Sequence, residues 1–247
     1  LEYMASELNK LDDYRKSFIA NISHDFRSPL TSIKGYIEAM LDGTIPKDNQ
    51  EKYLNIVLSE TQRLTKLTAS MLELNKSDSY GLKLNFITFD ILEVIDATID
   101  LFEGVCAKRY IVIRRNCQTD YTMVRADKTR IQQVLYNLID NAIKFSPHGA
   151  TIIISVTGAN EKIFVSVKDS GRGIEKSQQS KVWDRFYKAD SSRGKDKQGS
   201  GLGLSIIREI IRAHDETITL TSTPGVGSEF TFSLKKGKET EISPYHS

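Results

Sequence analysis

The sequence predicts an α+β protein in two parts: an antiparallel helical hairpin, then a two-layer α/β sandwich with a mixed sheet. Three observations carry the prediction. Apolar residues recur at steps of three and four over residues 4–74, interrupted once by the turn-forming run Asp42-Gly43-Thr44-Ile45-Pro46. Past the polar run Ser77-Asp78-Ser79-Tyr80-Gly81 the pattern changes to short alternating segments interleaved with amphipathic ones. Two glycine clusters, Asp169-Ser170-Gly171-Arg172-Gly173-Ile174 and Gly199-Ser200-Gly201-Leu202-Gly203-Leu204, punctuate the second part, the latter running into a helical pattern.

In the first arm the apolar positions include Met4, Leu8, Leu11, Phe18, Ile22, Phe26, Ile33, Ile37 and Met40. The second arm continues with Val57, Leu64, Leu67, Met71 and Leu74, the 3-4 alternation of a coiled-coil seam. A hairpin with an apolar stripe on each arm cannot cover both by itself, so a second copy completing a four-helix bundle is expected: a homodimer. The organisation read from this pattern is a hairpin over 1–77, a linker over 78–84, a compact α/β domain over 85–236 and a loose tail over 237–247.

In the second part helices are expected near 91–105, 128–145 and 204–214, the first of them covering 91–102 with Asp90, Glu93, Asp96 and Asp100 on its wet side. Strands are expected over 109–115, 151–157, 162–168, 217–221 and 228–234. One hairpin would turn across Gly158-Ala159-Asn160-Glu161 and another on Pro224-Gly225-Val226-Gly227.

Composition narrows the function classes. The 247 residues carry 34 basic and 32 acidic side chains, so bulk charge calls for no nucleic-acid or membrane-surface partner. Cys106 and Cys117 are the two cysteines and have no nearby histidines, which supports neither a zinc site nor a disulfide framework and fits a reducing compartment. No apolar run approaches the roughly 18 to 20 residues of a membrane span. The chain opens inside a helical pattern rather than at a cap, so a longer parent is expected.

His24 is the sharpest residue of the helical half. It lies two positions, about 200° of helix, from the apolar Ile22 and therefore faces outward. Arg27, Ser28 and Thr31 follow it by three, four and seven residues on the same face, with Asp25 on the adjacent shoulder. Pro29 removes a helix hydrogen bond one turn later and should bend the helix there. An imidazole with an acidic neighbour holding one ring nitrogen protonated leaves the other free as a nucleophile, as a phosphoryl acceptor requires.

The run His24-Asp25-Phe26-Arg27-Ser28-Pro29-Leu30 resembles the H-box of sensor histidine kinases, whose usual form is His-Glu-Leu-Arg-Thr-Pro-Leu. Asp replaces Glu, Phe replaces Leu and Ser replaces Thr, each keeping charge, bulk or hydroxyl. The resemblance implies that His24 is the phosphorylated residue, supported by Asp25 and Arg27. Ser28 stands where the family's hydroxyl helps position water for dephosphorylating the partner.

Further along, Asn137, Asn141 and Lys144 form a polar stripe at i, i+4 and i+7 beside apolar Ile131, Val134, Leu138 and Ala142. Two amides and a lysine in register suit phosphates and a magnesium ion, a hard cation that takes oxygen ligands. The segment 137–145 resembles the family's N-box, which implies that Asn141 contacts Mg2+, that Asn137 lies beside it, and that Lys144 and Phe145 line the nucleotide. The Asp169 cluster resembles the next box, in which the aspartate accepts a hydrogen bond from the adenine amino group, with Gly171, Gly173 and Ile174 shaping the pocket.

The run Trp183-Asp184-Arg185-Phe186-Tyr187 is similar to the aromatic box, with Phe186 read as core and Tyr187 at the nucleotide. Lys188 and Arg193 offer charge to a triphosphate, as Lys195 and Lys197 do unless they are merely solvated. Gly199, Ser200, Gly201, Leu202, Gly203 and Leu204 form the second glycine cluster at a helix N-terminus, where amides favour anions. The two clusters are read as the hinges of a nucleotide lid, and Thr231 as lying near adenine. One departure is His214-Asp215-Glu216, where a His-Gly-Gly turn is usual.

The resemblance spans about 15–235 and implies a Bergerat-type ATP-binding fold behind the helical hairpin. It also implies an ATP-dependent protein histidine kinase that takes MgATP, autophosphorylates His24 and passes the phosphoryl group to an aspartate of a response regulator receiver domain. Phosphatase activity toward that regulator and a parent protein in the bacterial cell membrane are further family habits.

Overall fold

The structure, a computed structural model, describes residues 2–80, 82–188 and 201–238; within it residues 2–18, 21, 70 and 73–80 are described by backbone alone. It divides into two compact units, residues 1–75 and 76–247. The expected lid residues Arg193, Lys195, Lys197, Gly199 and Ser200 lie outside the described residues.

The first unit is a hairpin of two helices, α1 (Glu2–Leu41) and α2 (Gln50–Tyr80). The reversal begins where Asp42 Oδ1 accepts from the Thr44 N–H at 2.9 Å and the Ile45 N–H reaches back to the Ala39 carbonyl at 2.8 Å. Ile45 is buried there, and Pro46 leads into a single 3-10 turn before α2. Tyr36 and Tyr53 bring their rings to 5.3 Å, joining the two arms near this end. Pro29 sits inside α1, which continues as one helix through it. Helix α2 also runs through the polar residues 77–80, where a linker was expected, because Ser, Asp and Tyr tolerate a helix in the absence of Gly or Pro.

Each arm carries more apolar surface than the hairpin covers. Leu67 is buried and Val57, Leu64 and Met71 are half-buried, while Leu54, Leu58 and Leu72 on α2 and Ile19, Leu30 and Leu41 on α1 are each more than half exposed.

The second unit is a five-stranded mixed sheet with helices on one face and a small two-stranded sheet beside it. Its elements are β1 (Ile87–Asp90), α3 (Ile91–Asp100), α4 (Glu103–Arg109), β2 (Val112–Cys117), β3 (Met123–Ala126), α5 (Lys128–Phe145), β4 (Thr151–Ala159), β5 (Lys162–Lys168), α6 (Gly203–Ala213), β6 (Ile218–Thr223) and β7 (Gly227–Lys235). The main sheet runs β2-β4-β5-β7-β6, parallel only between β2 and β4; β1 and β3 pair antiparallel. Alternation sorts the two faces. Ile152, Ile154 and Val156, Ile163, Val165 and Val167, and Phe230, Phe232 and Leu234 are all buried toward the helical layer, in which α5 packs beside both α3 and α6.

Two segments differ from the sequence expectation. The helix expected over 91–102 stops at Asp100, and α4 starts anew at Glu103, which turns Phe102 inward against Tyr136 with ring centroids 4.9 Å apart. Arg109, expected to open a strand, instead ends α4; Tyr110 takes a left-handed conformation at φ 55°, and the strand begins only at Val112. The cause is long-range: the Arg109 guanidinium donates to the carbonyls of Ser146, at 2.7 Å, and Ile143, capping the end of α5. The tail expected from 237 is likewise held at its start, since the Gly237 N–H donates to the Met123 carbonyl at 3.0 Å and its own carbonyl accepts from the Tyr121 hydroxyl.

The start of α5 is pinned from three sides. Asp127 Oδ1 accepts from the Arg130 N–H at 3.1 Å, Oδ2 accepts from the Asn85 N–H at 2.9 Å, and the Asp127 N–H donates to His214 Nε2 at 3.1 Å. His214 in turn places Nδ1 2.8 Å from the Ile210 carbonyl, which makes Nδ1 the protonated nitrogen. Asp215 follows at φ 57°, the left-handed conformation that glycine would favour in the His-Gly-Gly turn. An Asp127→Ala substitution removes both carboxylate bonds; we expect the second unit to lose about 1 to 2 kcal/mol by urea denaturation, and an unchanged midpoint would show that the cap is dispensable.

Candidate phosphoacceptor and nucleotide-binding sites

In the helical unit, the His24 side chain is 82% exposed, while its neighbour Asp25 keeps only 10% of its side-chain surface. His24 Nδ1 lies 3.5 Å from Asp25 Oδ1. A carboxylate on the Nδ1 side favours the tautomer protonated there and leaves the Nε2 lone pair for chemistry. Arg27 is exposed and Ser28 half-buried on the following turn. Helix geometry alone makes this arrangement: one residue offers an open imidazole, and the next turns its carboxylate inward.

In the second unit the site forms where β5 ends beside the end of α5. Asp169 continues the inward parity of Val165 and Val167, so its carboxylate turns toward the helical layer and is 92% buried as a residue, at 8% exposure. Its Oδ1 accepts from the Gly171 N–H at 2.8 Å and from the Ser228 N–H at 3.3 Å. Burial pushes the Asp169 carboxyl up from its ordinary range, and the two backbone donors act in the opposite direction.

Glycine is required around this carboxylate. A Cβ at Gly171 would lie 2.5 Å from the Phe145 carbonyl and 2.8 Å from Asp169 Oδ1, and one at Gly227, which sits at φ 141°, would lie 2.1 Å from the Asp169 carbonyl. Gly173, at φ 68°, is pressed in the same way against the Thr223 carbonyl. Ile174 donates its N–H to Ser222 Oγ at 2.8 Å, and Gln179 Nε2 donates to the carbonyls of Ile174 and Ser222, each at 3.0 Å. The first glycine cluster is therefore clamped to the β6–β7 hairpin. It does not have the free backbone expected of a hinge; its glycines serve close packing.

The second cluster behaves differently. Gly201, at φ 68°, packs against the Phe186 backbone and its carbonyl accepts the Phe186 N–H at 2.9 Å. Leu202 is fully buried and α6 starts at Gly203 with no side-chain cap. Among the described residues the nearest atom to a Cβ at Gly203 is Asn141 Nδ2, 4.0 Å away, so the first turn of α6 stands beside Asn141. Leu204 is half-buried in that turn. A helix N-terminus beside the Asn141 amide suits a phosphate chain with its magnesium, and the amide oxygen of Asn141 is the kind of hard ligand that fits that ion.

Asn137 is half-buried one turn before Asn141. Lys144 is half-buried and paired with Asp140 across one turn of α5. Phe145 is 42% exposed at the end of that helix, with the Arg172 guanidinium over its ring at 4.7 Å. Tyr187 and Lys188 are half-buried at the limit of the described segment, and Phe186 is buried core, as expected. Trp183 meets Phe230 edge to face at 5.8 Å in a short 3-10 turn rather than a helix.

One expected residue does not belong. Thr231 pairs with Ser166 and Thr219 on the outer face of the sheet, where it lines a polar recess with Gln118, Ser155, Thr157, Phe164 and Glu229. Its neighbours Phe230 and Phe232 take the inward parity, so Thr231 must point away from Asp169. The residue that meets the carboxylate is Ser228, which sequence reasoning passed over. Counting back by two from Phe232 through Phe230 reaches Ser228 and would have found it.

Both units match known protein families. The His Kinase A (phospho-acceptor) domain family matches residues 14–80, and the family of histidine kinase-, DNA gyrase B-, and HSP90-like ATPases matches residues 126–238. The solved catalytic domain of the histidine kinase ThkA is 33% identical, with 96% of that chain and 62% of this one covered and a TM-score of 0.55. This chain belongs to the sensor histidine kinases. The sensor histidine kinase WalK of Bacillus subtilis is 37% identical over 242 residues, which are 97% of this chain and 39% of WalK. ThkA solved in complex with response regulator protein TrrA is 30% identical, covering 90% of this chain and 61% of that one, with a TM-score of 0.74. The chain spans about two fifths to one half of the length of the curated relatives it matches. Among the described residues no helix is long and apolar enough to cross a membrane.

The Asp169 environment gives a pH signature for this histidine kinase. A carboxyl raised by burial makes the folded state less favourable once it ionises, so its contribution to stability is full below the ordinary value of 3.8 and declines as pH rises through the raised folded value. Asp169→Asn keeps an acceptor oxygen for Gly171 and Ser228 without the charge. Its melting temperature without nucleotide should exceed the parent's at pH 7, with the gap narrowing toward pH 4; a gap that widens on acidification contradicts the burial argument.

Proposed function

We propose that this chain is the catalytic portion of an ATP-dependent protein histidine kinase that autophosphorylates His24 and passes the phosphoryl group to an aspartate of a response regulator receiver domain. The observation that carries the proposal is the pairing, in one chain, of an open imidazole backed by a buried carboxylate with a second unit that buries Asp169 at a strand end and sets Asn141 beside the first turn of α6. Neither half explains the other unless a nucleotide is bound in one and consumed at the other.

Each residue then has a task. Asp169 accepts from the adenine amino group and so selects adenine over guanine, held in place by the N–H groups of Gly171 and Ser228. Gly201, Leu202, Gly203 and Leu204 present the first turn of α6 to the phosphates of MgATP, with Asn141 beside it as the magnesium contact and Asn137 one turn earlier on α5. Tyr187 and Lys188, half-buried after the Phe186 core, border the triphosphate. The Nε2 lone pair of His24 attacks the γ-phosphorus; the bond from that phosphorus to the β–γ bridging oxygen breaks, and its electron pair leaves with ADP. Asp25 stabilises the Nδ1 proton as positive charge develops on the ring. In the second step an aspartate oxygen of the receiver attacks the phosphorus and the P–N bond breaks, returning the imidazole.

Three finer statements belong to the same proposal. The receiver partner is supported by the relative crystallised with a response regulator. Ser28, one turn past His24, is placed to orient water for hydrolysis of the phosphorylated partner, which gives phosphatase activity. The exposed leucines of both arms call for a second hairpin, so the chain works as a homodimer. The kinship with sensor kinases supports a longer parent held in the bacterial cell membrane.

His24→Gln should abolish acid-labile labelling from γ-labelled ATP while leaving nucleotide affinity within about twofold; surviving label on that variant refutes the acceptor assignment. Incubating the labelled parent with a panel of receiver domains should deplete its label into one of them. Leu58→Glu, on the uncovered stripe, should shift the chain to monomer in sedimentation velocity with nucleotide binding retained, whereas an unchanged dimer would move the interface elsewhere.

A further inference from the structure

The turn between Asp169 and Ile174 carries one long side chain, that of Arg172, and it reaches the Phe145 ring. Gly171 is wedged between the Phe145 carbonyl and the Asp169 carboxylate, and Gly173 is pressed on the Thr223 carbonyl, so neither position can carry a Cβ without displacing backbone. The Arg172 carbonyl accepts the Gly225 N–H at 2.7 Å, which ties this residue to the β6–β7 turn. From that anchored backbone the guanidinium lies over the Phe145 ring, 4.7 Å from its centroid.

Phe145 needs such a restraint. It ends α5 and is 42% exposed. A ring that must be fixed when a base docks against it weakens binding by the freedom it loses; a guanidinium already over one face removes part of that loss beforehand. The carbonyl of the same residue and the carboxylate of Asp169 flank one point, the Gly171 Cβ position, at 2.5 and 2.8 Å, so the end of α5 that carries this ring meets the Asp169 turn.

We infer that Arg172 is a positioning residue for the adenosine half of the nucleotide, acting by holding the Phe145 ring rather than by touching phosphate. The inference rests on the reading of this site as an ATP site. It assigns the cation of the turn to the base end, and it makes the identity of residue 172 a determinant of nucleotide affinity.

The test is a double-mutant cycle on the whole chain, reading ADP and adenosine affinity by displacement of a fluorescent ATP analogue. Arg172→Ala should weaken ADP and adenosine by the same factor, about three- to fivefold, and Arg172→Lys should recover part of it. Phe145→Ala should weaken both, and the Arg172→Ala, Phe145→Ala double variant should lose no more than Phe145→Ala alone. Additive losses, or a loss for ADP that is absent for adenosine, overturn the inference in favour of a direct phosphate contact. Asp169→Asn run alongside separates the two levels: if it leaves binding intact, the base site itself is misplaced, whatever the cycle shows.

Discussion

A carboxylate held away from water at the end of β5 is the constraint around which the nucleotide-binding unit is built. A buried charge costs several kcal/mol unless donors meet it, and Asp169 obtains them from the backbone of Gly171 and Ser228. That solution draws three chain segments together within van der Waals distance: the turn after β5, the start of β7 and the end of α5. The glycines at 171 and 227 follow from it, because backbone atoms occupy the places their side chains would fill. The site's recognition chemistry and the packing of its walls are thus one set of contacts. A group kept unfavourably buried in the free protein is also one that gains when a ligand's amino group arrives as a further donor.

The helical unit is built on the opposite economy. His24 is left in solvent, and what the fold controls is the nitrogen that stays available, through the inward turn of Asp25 beside it. The exposed leucines on both arms leave an apolar stripe that the hairpin does not cover. On the proposed function, catalysis divided between a nucleotide pocket and an exposed acceptor requires delivery rather than elaborate chemistry, which accords with phosphoryl transfer as a reaction governed by positioning and charge neutralisation.

Much of this was legible along the chain. Helix α5 and strand β5 fall where periodicity put them, since both are long, strongly patterned and locally consistent. The outward His24 follows from 100° per residue and needs no partner to be seen. The errors lie where distant contacts overrule local pattern. Arg109 reads as the start of a strand but is recruited to cap α5, thirty-four residues away. The first glycine cluster reads as a hinge because glycine is flexible in isolation, yet here its glycines exist so that backbones can touch.

Local periodicity and residue chemistry by themselves determined the two-part organisation, the helix and strand types, the outward histidine and the aspartate at a strand end. Which residue meets that aspartate was decided only in three dimensions. The β5–β7 register sets Lys168 opposite Glu229, carries Ser228 to the Asp169 side and sends Thr231 to the outer face. A strand shows alternation in its own sequence but not the identity of its partner across the ladder. That choice is made by the hairpin turn and the helical layer together, because a slip of one residue would have exposed Phe230 and Phe232 to water.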